Sequence, residues 1–186
     1  MIIVAIIAVI VLIFGISIYN NLIGKKNQVA NAFSAIDVML KKRFELLPNL
    51  VETVKQYMQY ESETLTKITT LRTQATAENV SEADKLALDA QIGTAVKGLM
   101  VNVENYPDLK TNQNFLNLQV TWTESEEQIA AARRNYNSSV TAYNDAVMMF
   151  PGNMFAGMLG YQTIPVLETA ANERQNISAK DLFNAK

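Results

Sequence analysis

IIVAIIAVIVLIFGISI, from Ile2 to Ile18, is the stretch on which the reading of the whole chain turns. It carries no charged side chain, and the first charge in the sequence is Lys25. With Met1 and Tyr19 it would form a helix about 28 Å long, at roughly 1.5 Å per residue. The hydrocarbon core of a bilayer is about 30 Å thick, so one crossing fits. Tyr19, Asn20 and Asn21 suit the exit, where a ring with a polar tip is at home. A cleaved signal peptide would begin with a basic residue, carry about 7–15 apolar residues and end at a small-residue site. None of these is present, so residues 1–19 are expected to be a retained transmembrane anchor.

Charge beyond the anchor bears on orientation. Lys25, Lys26, Lys41, Lys42 and Arg43 follow it, opposed up to that point only by Asp37. The positive-inside rule then favours an N-terminus outside and a cytoplasmic domain. The opposite orientation stays open at this stage. The same five residues are candidate membrane-surface contacts, through a salt-screened attraction to anionic headgroups. A solvated helix face would show the same residues. The chain has no cysteine, so a cysteine-linked lipid is excluded and the redox compartment is not decided.

The rest of the chain reads as helix. Apolar side chains at Leu22, Val29, Phe33, Ile36, Leu40, Phe44, Leu47, Val51, Val54, Met58, Leu65, Ile68 and Leu71 recur mostly three or four apart. Two outcomes fit Pro48: a bend in a continuing helix, or a tight reversal at Leu47-Pro48-Asn49. The unbroken stripe and the lack of a terminating glycine favour the bend. The spacing then predicts a helix from about Tyr19 to Thr76, roughly 85 Å long. A break follows at residues 75–80. Ser81 opens a capping box with Asp84, whose short side chain makes the return bond doubtful. Leu86, Ile92, Val96, Leu99, Met100 and Val103 line the next helix, which ends before Pro107. A last long helix is predicted from Thr111 to Met149, with Phe115, Leu118, Trp122, Ser125, Ile129, Ala132, Tyr136, Val140, Tyr143, Val147 and Phe150 in near-heptad, coiled-coil-like spacing.

Pro151-Gly152 breaks this pattern. Met154, Phe155, Met158, Leu159 and Tyr161 then form a short apolar patch, expected to fold back on the bundle or to meet lipid or a partner. From Glu168 the tail is polar. The predicted organisation is an anchor over 1–19, a helical bundle over 20–150, and an apolar segment with polar tail over 151–186. The fold class is all-α: one transmembrane helix and an antiparallel bundle of long helices.

Chemistry is read mostly by exclusion. With no His and no Cys, a serine–histidine triad, a cysteine nucleophile and a His/Cys zinc site are ruled out. No phosphate-binding glycine loop occurs. The formal charge of −2 does not point to nucleic acid. Catalytic, cofactor-binding and metal sites are therefore all expected to be none. A carboxylate enzyme is the remaining catalytic option, and it would need acids converging in a cleft. Glu61, Glu63, Glu124, Glu126 and Glu127 instead sit among polar neighbours, as on a solvated face. Asp37 lies beside its stripe and Arg133 beside the last one, so the two are expected either to meet across helices or to stay apart, with Asp37 bonded to Lys41.

Four blocks carry a family resemblance: YNNLIGKKNQVANAFSAIDVMLKKRFELLPNLVETVKQY (Tyr19 to Tyr57), VENYPDLKTNQNFLNLQ (Val103 to Gln119), EEQIAAARRNYNSSVTAYN (Glu126 to Asn144) and FPGNMFAG (Phe150 to Gly157). In content, order and spacing the chain resembles the LemA family. It departs at Phe33, where tryptophan is common, and at Leu47, where isoleucine often precedes the proline. The resemblance implies one N-terminal membrane helix, an extracellular N-terminus and a cytoplasmic antiparallel bundle. It implies no enzymatic activity. It also implies genes that often neighbour those for a membrane-embedded zinc metalloprotease or for small membrane-associated domains, and one branch tied to magnetosome formation. Asp37, Pro48, Asn49, Tyr106, Pro107, Arg133, Arg134, Tyr136 and Asn144 are family hallmarks with an architectural role.

The expected function is thus a non-enzymatic scaffold or adaptor in the inner or plasma membrane. Expected partners are lipid through residues 1–19, further copies of the chain, or an integral membrane protein such as a quality-control metalloprotease. Confinement to a plane raises effective concentration near such partners. Ile23, Leu46, Leu50 and Tyr57 lie off the main stripe and hint at a second contact face. The alternative is a lipid-binding protein that organises the membrane.

Overall fold

The computed structural model describes residues 1–58 and 60–168. Six α-helices lie within them: α1 (Ile2–Lys55), α2 (Ser62–Ala75), α3 (Glu82–Asn102), α4 (Pro107–Lys110), α5 (Gln113–Met148) and α6 (Gly152–Leu159), with a 3₁₀ turn at Val103–Asn105. No strand occurs among the described residues, so the all-α expectation holds. The expected polar tail lies outside them, apart from Glu168. The chain forms two compact units, Asn31–Arg134 and a second that joins Met1–Ala30 to the chain from Asn135.

In the unit Asn31–Arg134, the stripes read from the sequence are the core. Phe33, Ile36, Leu40, Phe44, Leu47, Val54 and Met58 are buried from α1 and the turn after it. Leu65, Ile68 and Leu71 of α2 join them, with Ile92, Val96 and Leu99 of α3 and Phe115, Trp122 and Ile129 of α5. Each large side chain fully removed from water contributes about 1.5–3 kcal/mol. Backbone ordering opposes this at about 1–2 kcal/mol per residue, so the faces are needed together. Leu50, expected on a second face, is also core. Tyr57 is half-buried and its hydroxyl accepts from Asn112 Nδ2 at 3.0 Å. These two residues are therefore not part of an outward contact surface.

The predicted helix from Tyr19 to Thr76 is two helices. α1 stops at Lys55, where the Val54 carbonyl accepts from both Tyr57 N–H and Met58 N–H. Met58 is turned into the core and is 1% exposed. No glycine or proline marks this turn. It is set by what Met58 buries, not by local preference.

Pro48 lies inside α1 without ending it. A proline has no N–H to give the carbonyl four residues back. That carbonyl, on Phe44, accepts instead from Arg72 Nε of α2 at 3.0 Å. The acceptor freed by the proline is thus closed from a neighbouring helix.

Other boundaries follow local chemistry. Ser81 Oγ accepts from Asp84 N–H at 3.1 Å and caps α3. The short Asp84 carboxylate accepts from the Ser81 hydroxyl at 2.6 Å rather than reaching the backbone. Tyr106, at φ −124° and ψ 80°, is out of the helical region before Pro107, which opens α4. α2 and α3 pack on each other across their short connection.

In the other unit, Leu22 and Val29 of α1, Tyr136, Val140, Tyr143 and Val147 of α5, and Ala156 of α6 are buried. Phe150, expected on the α5 stripe, is 78% exposed, because the helix ends two residues before it.

Replacing Arg72 with Met should leave the Phe44 carbonyl without its donor and cost about 1–3 kcal/mol. In a Pro48→Ala background, where residue 48 regains its N–H, the same change should cost far less. Denaturant titration of the four proteins checks this non-additivity; equal costs in both backgrounds would contradict it.

Candidate membrane-contact surface

The first turns of α1 are bare. Its opening segment is long and apolar enough to cross a membrane, and none of that window is buried by protein. Ile2, Ile7, Ile10, Leu12 and Ile16 are each more than half exposed. Such a surface is unfavourable in water, since burial of apolar area is the main favourable contribution to folding.

One element does approach this segment. α6 sits so that a Cβ built on Gly15 would lie 3.7 Å from the Phe155 ring. Farther along α1, Lys26 Nζ stands 4.6 Å from the centroid of the Tyr161 ring, within cation–π range. Met154 and Met158 remain exposed, Leu159 is partly so, and Phe155 and Tyr161 are half-buried. The predicted apolar patch is therefore divided. Phe155 and Tyr161 face α1, and the methionines face outward.

Backbone pairing holds this region. Gly152 follows α5 so closely that a Cβ there would collide with the Ala146 carbonyl oxygen. Gly160, at φ +68°, ends α6 in the left-handed conformation. The following strap, residues 161–168, is fastened to α5 by two asparagines. Asn144 donates to the Ile164 carbonyl at 2.8 Å and accepts from Ile164 N–H at 2.9 Å. Asn137 does the same for Leu167, at 2.9 and 2.8 Å. Between them, the Tyr143 hydroxyl donates to the Gln162 carbonyl at 3.0 Å. Burial pushes the Tyr143 pKa up, and Tyr161 adds to the shift.

The five basic candidates part company. Lys25 is half-buried and Lys26 exposed in one unit; Lys41 and Lys42 are exposed in the other, where Lys42 reaches Gln128 Oε1 at 3.5 Å. Arg43 is 4% exposed and is not a surface residue. Its Nη1 lies 3.2 Å from Asp89 Oδ1 and donates to Oδ2 at 3.4 Å, while Nη2 donates to Glu126 at 3.0 Å. Its guanidinium lies 4.0 Å from the Trp122 ring centroid. Gly93 leaves it room, since a Cβ there would come within 3.3 Å of Nη2. Asp89 went unnoticed in the sequence, although it precedes Ile92, Val96 and Leu99 at stripe spacing. Asp37 pairs with neither Arg133 nor Lys41: its carboxylate accepts from Lys85 Nζ at 2.6 Å.

Desolvation raises the Asp89 pKa, and Arg43 and then Arg133 pull it back down, with Glu126 pushing it up. Two carboxylates thus converge on one buried arginine, an ion-pair arrangement inside packed helices. Among the described residues no group of three or more acids is placed to hold a metal ion.

The sequence matches the LemA family over residues 32–180. The chain belongs to the LemA family. It is 29% identical over 165 residues to Protein LemA of Metamycoplasma hominis, covering 89% of this chain and 75% of that protein. It is 30% identical over 77 residues to Magnetosome protein MamQ 2 of Paramagnetospirillum magneticum, which is 41% of this chain and 28% of that one. Magnetosome protein MamQ of Magnetospirillum gryphiswaldense matches over 79 residues at 28% identity, 42% of this chain and 29% of that protein. None of these three names is that of an enzyme. The MamQ likenesses cover under a third of those proteins, and so bear on a shared segment only.

The Arg43 cluster of this LemA-family chain carries a pH signature. Folded Asp89 holds its proton to higher pH than unfolded Asp89 does. Its contribution to stability is therefore complete below about pH 3.9 and is lost as pH rises through the raised value. Asp89→Asn should remove that downward slope from melts of the full chain in detergent, followed by circular dichroism. Arg43→Met should steepen it and cost about 3–5 kcal/mol at pH 7, because the Asp89 charge is left buried without its partner.

Proposed function

We propose that this LemA-family chain is a membrane-anchored, non-enzymatic helical scaffold or adaptor. Its bundle presents long helical faces to further copies of itself or to an integral membrane partner, such as a quality-control metalloprotease. The observation that carries the reading is the bare first segment of α1, which only a lipid environment would cover at low cost. Family membership and the absence of enzyme names among the three relatives support the non-catalytic part. Leu116 and Val120, one turn apart and exposed on α5, supply an apolar step on an otherwise polar face.

Charge supports one orientation. Lys25 and Lys26 stand just past the apolar run, which favours a bundle on the cytoplasmic side of the inner or plasma membrane over the opposite orientation. Confinement in that plane raises encounter rates with other membrane proteins without new contacts.

A second reading, direct organisation of lipid, is favoured by the apposition of α6 to the anchor at Gly15.

The full chain should stay with membranes through alkaline carbonate washing. It should also exceed monomer mass by light scattering in several mild detergents. Release by carbonate would overturn anchoring. A clean monomer in every detergent, with no partner captured by crosslinking in intact membranes, would overturn the scaffold.

A further inference from the structure

We infer that α6 and the turn leading into it lie within one lipid monolayer, beside the exit of α1, as a second foothold in the bilayer. This rests on the anchoring proposed above and adds to it a specific lipid-facing element.

From Ala146 to Leu167 the chain carries no charged side chain, a run bounded by Asp145 and Glu168. Within it Met149, Phe150, Met154 and Met158 are 62%, 78%, 62% and 85% exposed. Such a contiguous apolar surface marks an interaction site. It adjoins the bare surface of α1, because Phe155, which follows Met154 by one residue and precedes Met158 by three on α6, brings its ring against Gly15.

Depth follows from that contact. Gly15 precedes Tyr19 by four residues, or about 6 Å along a helix. Helices that lie in the interface bury their apolar face about 5–10 Å into the headgroup and acyl boundary. α6 has 8 residues, too few to span, so lying in the interface is the geometry open to it. On the watery side, Lys26 over the Tyr161 ring places an ammonium and an amphipathic aromatic together, as at a headgroup level.

The backbone fits the same environment. Lipid offers no partner to free N–H or C=O groups. At the start of α6, Asn153 N–H donates to the Met149 carbonyl and Met154 N–H to that of Pro151. At its end, Tyr161 N–H donates to the Ala156 carbonyl and Gly160 N–H to that of Gly157. The strap then returns under the two asparagines, which take both backbone groups of Ile164 and of Leu167. The occupant of this face is therefore the acyl region of a phospholipid monolayer.

The chain has no native cysteine, which makes the test clean. Single variants Met154→Cys and Met158→Cys of the full chain are spin-labelled and reconstituted in phosphatidylcholine–phosphatidylglycerol vesicles. Ile10→Cys serves as the lipid reference and Glu127→Cys as the aqueous one. Collision with oxygen relative to a water-soluble nickel chelate should be several-fold higher at 154 and 158 than at 127, and should approach that at 10. A nickel-favoured ratio at 154 and 158 with an oxygen-favoured one at 10 would overturn the foothold and leave the anchor standing. Low collision with both reagents would assign the face to a second copy of the chain and also overturn it. A nickel-favoured ratio at Ile10→Cys would overturn anchor and foothold together.

Discussion

The bare apolar surface at the start of α1 is the constraint on which the rest depends. Helices elsewhere in the chain bury one face and wet the other. From Ile2 to Ile16 large side chains stand exposed all round the helix. The chain solves the same problem differently in its two compact units. In Asn31–Arg134, apolar stripes from successive helices cover one another. In the other unit, Phe155 brings a ring onto the apolar run near its end at Gly15, and most of the run stays uncovered among the described residues.

Periodicity carried much of the architecture. The stripes of α1, α2, α3 and α5 reappear as core, Ser81 caps where its chemistry says it should, and Pro107 opens a helix. The break after Lys55 was invisible. Nothing at residues 56–61 resembles a terminator, and the turn exists because Met58 and Leu65 find burial there. The site was harder to read than the fold. Counting lysines and arginines as one basic surface overlooked that Arg43 keeps stripe register with Leu40 and Leu47. Burial and two carboxylates from other helices then change its role. The strap on α5 was equally hidden, since Asn137 and Asn144 look like ordinary helix-surface residues until an extended segment lies against them.

The Arg43 cluster illustrates why charged residues inside helical stripes merit notice. Burying an ion pair stabilises little compared with an apolar filling of similar shape, but it tolerates few alternative alignments. Asp89 comes from α3, Glu126 and Trp122 from α5, and Arg43 from α1, so one guanidinium sets three helices in register. Lys85 and Asp37 add a second, more exposed tie between α1 and α3. Apolar side chains alone would let these long helices slide by a turn at modest cost.

The bond from Arg72 to the Phe44 carbonyl has a consequence for how the structure comes apart. α1 at Pro48 is missing a rung of its own ladder, and α2 supplies the substitute. Should α2 peel away, α1 would be left with an open carbonyl beside a proline, at the point where it is weakest. The two helices therefore loosen together, as one cooperative block, and local opening is expected to spread across both before either frays alone.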